Sequence, residues 1–433
     1  MNKLTVIGGG LAGCEAAYAA ANRGIEVELL EMKPAKKTAA HKSDSLAELV
    51  CSNSLKAARV DSAAGLLKEE MRRLGSVCLA AADRSAVAAG GALAVDRDIF
   101  SRLITEKIKN HPNITVTERL VTEIPQGGVT VIATGPLTDD ALAEKLAGLC
   151  DGGNLSFYDA AAPIVTAESV DMSKAFFASR YDKGGDDYIN CPMNKEEYTA
   201  FYHELINAES APLHGFDKAP NVYEGCMPVE VLAKRGEDSI RFGPLKPVGL
   251  RNPRTGHRPW AAVQLRRENA AATLFNIVGF QTNLKFSEQK RVFSMIPGLE
   301  NAEFMRYGVM HRNTFINSPK LLNRNLSLKA DKNIFIAGQL SGVEGYMESA
   351  ASGIIAGINA AAEITGEKPL VLPETTMTGA LLSYITNPLT ENFQPMGANF
   401  GIIPPLEAHI RDKRERYAAL AARALGILAD NIK

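Results

Sequence analysis

No stretch of this chain is apolar for the roughly 18 residues a membrane-spanning helix needs. Residues 4–20 do not read as a secretion leader either, because glycines and Glu15 break the run. Cysteine is scarce: the 433 residues hold six, irregularly spaced and without a C-x-x-C pair. That pattern excludes a disulfide framework and leaves a metal site unsupported. Charge of one sign is missing as well, with 48 basic against 49 acidic residues and a net charge of −1, so the molecule as a whole has no pull on nucleic acid. There is no internal repeat, and no low-complexity tract beyond an alanine-rich tail near 418–429. With 46% hydrophobic and 22% charged residues, the expectation is a globular, cytoplasmic protein of two domains with free thiols.

What is present is concentrated at the start. Leu4-Thr5-Val6-Ile7 is a short β-branched apolar run, followed by Gly8-Gly9-Gly10-Leu11-Ala12-Gly13, an alanine-rich stretch to Arg23, and Gly24. This reads as strand, glycine turn, helix and helix stop. Residues 25–30 form a second strand ending at Glu31. In that setting Gly8 permits a tight turn, Gly10 lets backbone approach a pyrophosphate, and Gly13 lets helix and strand pack closely. The N–H groups around Leu11 and Ala12 at the helix N-terminus face the anion. Glu31 accepts ribose hydroxyls and repels a 2′-phosphate, which selects FAD or NAD over a 2′-phosphorylated dinucleotide.

Two later segments repeat the strand-then-turn design: Val129 to Ile132 leading into Ala133-Thr134-Gly135, and Ile334 to Ile336 leading into Ala337-Gly338-Gln339 with Gly342 and Gly345 beyond. Both resemble turns that two-domain FAD enzymes place beside the cofactor. Their separation implies a nucleotide domain interrupted by an insertion. The fold class is therefore α/β, a Rossmann-like FAD-binding domain (1–153 and 310–433) interrupted by an α+β insertion domain (154–309). The insertion holds a candidate strand at 175–180 and a candidate helix at 195–207, but no second glycine fingerprint, so a nicotinamide dinucleotide would dock only transiently on the flavin face.

Further periodicities predict helices over 61–75, with Leu67, Met71 and Leu74 on one face, and after a cap at Asp96, with Ile99, Leu103, Phe100 and Ile104 inward. Between Lys234 and Arg267 there are nine Lys/Arg against Glu237 and Asp238, a local balance of 9 − 2 = +7. Punctuated by prolines, this stretch suits a phosphate backbone, with Arg251, Arg254 and Arg258 as contacts.

The glycine fingerprint with Cys14-Glu15-Ala16-Ala17, Leu49-Val50-Cys51-Ser52-Asn53-Ser54-Leu55, Glu224-Gly225-Cys226-Met227-Pro228-Val229-Glu230, 338–346 (GQLSGVEGY) and Asn392-Phe393-Gln394-Pro395-Met396 closely resembles the TrmFO family over nearly the whole chain. Those are folate- and FAD-dependent tRNA (uracil-5-)-methyltransferases. Gly397 departs from the pattern, where an Asn is expected. The resemblance implies that methylenetetrahydrofolate supplies a one-carbon unit that passes through reduced FAD to C5 of a T-loop uridine in tRNA. NADH or NADPH then restores the flavin.

Uracil C5 is a poor nucleophile, and thiolate addition at C6 activates it. Cys51 and Cys226 are the candidates, each in an irregular polar segment beside basic residues (Lys56 and Arg59; Lys234 and Arg235) that lower a thiol pKa. By resemblance both belong at the active site, with the division of labour between them open. Cys14, Cys78, Cys150 and Cys191 read as packing residues. The resemblance further implies that His311 stacks on the pterin of the folate and that Gly345 and Tyr346 (with Glu344 nearby) lie along the flavin. A ribosomal RNA methylating paralogue shares every one of these motifs. The related wobble-uridine enzyme MnmG also uses FAD and folate, but it carries a C-terminal helical domain for which this chain has no room. The choice between NADH and NADPH and the oligomeric state stay open.

Overall fold

The computed structural model describes residues 3–38, 40–148, 155–182, 185–212, 227–390 and 393–432, with backbone only at 155–159, 182, 311 and 312. The chain opens with β1 (Lys3–Ile7), α1 (Leu11–Ala21) and β2 (Glu26–Glu31). A long excursion follows, through β3 (Ser54–Ala57), α2 (Ala63–Arg73), α3 (Val77–Arg84), β4 (Ala86–Val87), β5 (Ala92–Val95) and α4 (Arg97–Lys109). It returns in β6 (Ile114–Glu118), β7 (Val129–Ile132) and α5 (Asp140–Gly148).

Local chemistry sets these bounds. Ser62 caps α2 by accepting the Gly65 N–H at 3.1 Å, and Asp96 caps α4 by accepting the N–H groups of Asp98 and Ile99 at 3.1 Å each. On α4 the fully buried residues are Phe100, Ile104 and Ile108, four apart, while Ile99 and Leu103 are half-buried at the edge of that stripe. Leu67 and Met71 of α2 are fully buried and Leu74 half-buried.

The middle of the chain contains β8 (Leu155–Ala160), β9 (Ile164–Thr166), β10 (Phe176–Phe177), β11 (Tyr188–Met193) and α6 (Lys195–Asn207). Then come α7 (Val229–Ala233), α8 (Ser239–Phe242), β12 (Ala261–Arg267), β13 (Leu274–Ile277), α9 (Phe286–Phe293), β14 (Phe304–Arg306) and β15 (Met310–Phe315). The strand expected over 175–180 is only two residues long, because the chain turns into a 3₁₀ segment at Arg180 with Tyr181 in the left-handed region (φ 59°). Helix α6 is bounded by a capping box, Asn194 accepting the Glu197 N–H at 2.8 Å while the Glu197 carboxylate accepts the Asn194 N–H at 2.7 Å. The chain ends with α10 (Ser318–Leu321), β16 (Ile334–Ile336), α11 (Tyr346–Thr365), α12 (Met377–Thr386) and α13 (Lys413–Asn431).

Two cores result. The first surrounds a parallel sheet in the order β16-β7-β1-β2-β6, whose central strands are apolar on both faces. Helices α1 and α11 cover it and lie unusually close, since a Cβ at Gly353 would stand 2.2 Å from the Ala12 carbonyl oxygen. The second lies on an antiparallel sheet in the order β10-β11-β12-β13-β9-β14, around Tyr198, Phe201, Phe280 and Phe293. Between them β8 and β15 pair as a two-stranded antiparallel ribbon. None of the described helices is long and apolar enough to cross a membrane.

Candidate active site

The parallel strand order explains why three glycine turns far apart in sequence meet. β1 pairs in parallel with β2 on one side and with β7 on the other, so the order in which strands are added reverses at β1, and open α/β sheets bind ligands at the carboxyl end of such a switch point. Register then aligns the strand ends. The Gly8 N–H donates to the Leu30 carbonyl at 2.8 Å, Ala133 N–H to Ile7 at 2.8 Å, and Ala337 N–H to Ile132 at 3.0 Å. Gly8, Thr134-Gly135 and Gly338-Gln339 therefore share one rim.

That rim lines a cavity of about 160 Å³, together with Gly9, Gly10, Leu11, Ala12, Glu31, Cys51 and Tyr346. Its residues fit an adenine dinucleotide on two observations. A Cβ at Gly10 would meet no atom within 4 Å, so the backbone there opens onto the groove. The N-terminus of α1 has no capping side chain and no acidic residue in its first turn, which leaves its N–H groups for an anion. Gly13 does not line the cavity; a Cβ there would fall 1.8 Å from the Gly8 carbonyl oxygen, so its role is packing. Glu31 is buried, and its two oxygens accept the N–H groups of Gly9 (2.6 Å) and Lys33 (2.9 Å). It thus braces the glycine turn as well as edging the groove. His41, Glu48, Arg119 and Asp139 also line it, from segments whose sequence carries no signal of a site.

Cys51 lies where this groove meets a second cavity of about 210 Å³, lined among others by Gly345, Glu344, Lys56 and Glu348 and sharing Cys51, Gln339 and Tyr346 with the first. The Tyr346 hydroxyl oxygen accepts the N–H of Cys51 at 2.8 Å and of Ser52 at 3.3 Å, and lies 2.9 Å from Cys51 Sγ. With its lone pairs so engaged, the hydroxyl has its proton for the sulfur. Burial pushes the Tyr346 pKa well above its ordinary value, with the charge of Cys51 adding to the effect, so this donor stays protonated.

The cysteine loop is held by arginines that no sequence signal singled out. Arg97 donates to the Leu49 carbonyl at 2.5 Å, Arg306 to the Val50 carbonyl, and Arg266 to Asn53 Oδ1 and Ser52 Oγ at 3.0 Å each. Asn53, fully buried, donates in turn to the carbonyls of Val95 (3.0 Å) and Arg267 (2.9 Å). Lys56, expected to act on Cys51, pairs with the buried Glu348 at 2.7 Å, and Arg59 pairs with Asp61 at 2.9 Å. Gly397 faces the same corner, where a Cβ would come within 3.1 Å of the Glu344 carbonyl oxygen.

The other cysteines differ from Cys51. Cys14, Cys78 and Cys191 are fully buried, and burial raises all three thiols, Cys191 to about 12. Cys150 and Cys226 lie outside the described residues. His311 stands on β15 opposite Asp159 of β8, and its ring is outside the described part of the structure. In the basic stretch Arg251, Arg254 and Arg258 are all exposed, and Arg254 also donates to the carbonyls of Met172 (2.6 Å) and Ala175 (2.9 Å), tying its loop to the chain just before β10. Arg241 stacks 3.8 Å from the Trp260 ring centroid and Arg266 is buried, so part of the +7 serves the fold. Among the described residues no cluster of His, Cys, Asp and Glu is arranged to hold a metal ion.

Residues 3–368 match the family model described as Glucose inhibited division protein A. A Lactobacillus gasseri protein named methylenetetrahydrofolate–tRNA-(uracil-5-)-methyltransferase TrmFO is 57% identical over 425 residues, covering 98% of this chain and 97% of its own. A protein of the same name from Acetivibrio thermocellus is 58% identical over 429 residues, covering 99% and 98%. Among solved structures, Aquifex aeolicus GidA superposes with a TM-score of 0.72 at 18% identity, covering 99% of this chain and 75% of that one, which speaks to the fold. Identity at this level over the full length shows that the chain belongs to the TrmFO family of methylenetetrahydrofolate–tRNA-(uracil-5-)-methyltransferases.

Proposed function

We propose that this protein methylates C5 of a T-loop uridine in tRNA, with methylenetetrahydrofolate as one-carbon donor, FAD as cofactor and NADH or NADPH as reductant, in the cytoplasm. The observation that carries the reading is the position of Cys51, a half-buried thiol with a hydroxyl donor, at the end of a dinucleotide groove in a chain 57% identical to a protein of that name.

Gly8, Gly9, Gly10, Leu11 and Ala12 hold the pyrophosphate of FAD, Glu31 its ribose, and Thr134, Gly135, Gly338, Gln339, Gly345 and Tyr346 the remainder. When bound, FAD supplies the redox and one-carbon transfer chemistry. The chain's own part is to activate the base. A thiolate adding to C6 of uracil turns C5 into an enolate carbon, and after C5 is alkylated its proton must leave. Cys51 and Cys226 share these two tasks on neighbouring atoms. His311 stacks on the folate, Arg251 and Arg258 contact RNA phosphates, and residues 154–309 form an insertion domain that closes over the groove.

The test is to incubate the protein with labelled methylenetetrahydrofolate, NADH or NADPH, and total RNA lacking the modification, then map the labelled nucleoside. Label in a tRNA T-loop uridine supports the proposal. Label confined to ribosomal RNA assigns the chain to the other substrate class, and label at a wobble uridine to the third.

A further inference from the structure

We infer that Arg266 and Arg306, both carried by the antiparallel sheet of residues 164–306, are positioning residues for Cys51, holding its loop in shape and supplying the positive charge against which its thiolate forms. This rests on Cys51 being a reactive thiol, as proposed above, and names what makes it one.

The geometry is specific. Leu49, Val50, Ser52 and Asn53 each give an oxygen to an arginine, and between them Cys51 meets the Tyr346 hydroxyl. Strand β12 explains how Arg266 gets there. Its residues Ala261, Val263 and Leu265 face the insertion's own core, so the alternate residues Ala262, Gln264 and Arg266 face the other way, towards the nucleotide domain. Arg266 is nonetheless buried, because the cysteine loop lies directly on it. The Arg266 guanidinium spans the Asn53 amide oxygen and the Ser52 hydroxyl with two separate N–H groups, a fork that an ammonium lacks.

Charge points the same way. Among the described residues, the groups around this loop are Arg97 from α4, Arg266 from β12, Arg306 from β14, Glu268 just beyond β12, the phenols of Tyr346 from α11 and Tyr188 from β11, and across the second cavity Lys56 paired with Glu348, and Glu344 accepting the Gln339 amide. On the side of the antiparallel sheet, among the described residues, three guanidinium groups stand against one carboxylate, Glu268, which pairs with Arg97. Burial lowers the pKa of Arg266 and of Arg306, and an arginine stays cationic through such a change. A buried excess of positive charge is costly without an anion. The Cys51 thiolate is the group placed to answer it, and its charge acts favourably on both arginines.

The experiment is iodoacetamide labelling of Cys51 in the FAD-bound protein across about pH 6 to 9.5, read by peptide mass spectrometry. The labelling itself needs neither RNA nor folate, so its failure is separate from failure of the proposed activity. Arg266→Gln should move the labelling midpoint to higher pH, slowing Cys51 alkylation at pH 7 about tenfold if the midpoint rises by about one pH unit, with flavin still bound. Arg266→Lys, which keeps the charge and loses the fork, should label close to wild type yet transfer methyl groups down to roughly a hundredfold more slowly, as expected of a displaced catalytic group. If Arg266→Gln does not fold, Arg306→Gln carries the same test. A wild-type labelling profile in the folded glutamine variant overturns the proposal.

Discussion

Gly10 and Gly13 lie three residues apart in one fingerprint, yet the structure gives an added methyl group opposite surroundings. At Gly10 the backbone has φ −73° and ψ −174°, which any residue adopts, and a Cβ would meet nothing within 4 Å. At Gly13 a Cβ would stand 1.8 Å from the Gly8 carbonyl oxygen, so restoring even a tight 3.0 Å approach requires the backbone to part by 3.0 − 1.8 = 1.2 Å. The nearest atoms are backbone, and the displacement falls between the glycine turn after β1 and the first turn of α1. Overpacking of this kind costs ~3 kcal/mol, or a fall of roughly 3–5 °C in melting temperature for an unfolding unit of this size. Gly10→Ala should cost the flavin-free protein less than about 0.5 kcal/mol, the modest loss of exchanging glycine for alanine at a helix N-cap. The order reverses with cofactor: Gly10→Ala puts its methyl into the groove and should lower the flavin released on denaturation at least about tenfold, the equivalent of 1.4 kcal/mol. Both proteins would be purified, stripped of flavin, melted, then reloaded and assayed for bound FAD. If flavin-free Gly10→Ala melts as low as Gly13→Ala, or if Gly10→Ala keeps its full complement of FAD, the division into a ligand glycine and a packing glycine is wrong.

Cys51→Ala and Cys226→Ala should each abolish methyl transfer while FAD stays bound, and the double variant should be no worse than either single one because the thiols act as a unit; full methylation by one of them removes that cysteine from the scheme. Arg251→Ala with Arg258→Ala should flatten the salt dependence of RNA binding by roughly 0.7–0.9 in log–log slope for each phosphate left without its arginine, whereas Arg254→Ala should instead lower thermal stability, since its guanidinium serves two carbonyls. An unchanged slope in the double variant would leave those two arginines as solvated charges. Buried Glu15 caps α3 by accepting the N–H groups of Val77 and Cys78, and burial raises its pKa from 4.5 to about 7. A raised carboxylate pKa contributes stability below the unfolded value that is lost as pH rises through the folded one. The gap in urea midpoint between wild type and Glu15→Gln should therefore narrow between about pH 5 and pH 8, and a gap that widens would reverse the assignment.

Much of the architecture was legible in the chain because it is local. The β1-turn-α1 unit, the helices after residues 61 and 194, the cap at Asp96, and the strands before Thr134 and Gly338 follow from apolar periodicity, glycine and short polar side chains, which act within a few residues. The alternation of β12 was present too, but in a strand buried on both faces it does not say which side meets what. Local reading also overextended the strand at 175–180, where the chain turns at Arg180 and Tyr181.

Residue order alone supplies the inventory: a nucleotide groove, two cysteine motifs and a basic, proline-broken stretch. The tertiary structure decided which of these parts meet. Parallel pairing of β1 with both β2 and β7 aligns three distant glycine turns on one rim, a consequence of register rather than composition. Long-range pairing decided which charges are engaged: Arg254 and Arg266 on carbonyl, amide and hydroxyl groups, Lys56 on Glu348, Glu31 partly on its own turn. The hold of Arg97, Arg266 and Arg306 on the residues flanking Cys51 joins positions up to 256 apart, and a hydrogen bond at that separation leaves no periodic trace in either partner's neighbourhood.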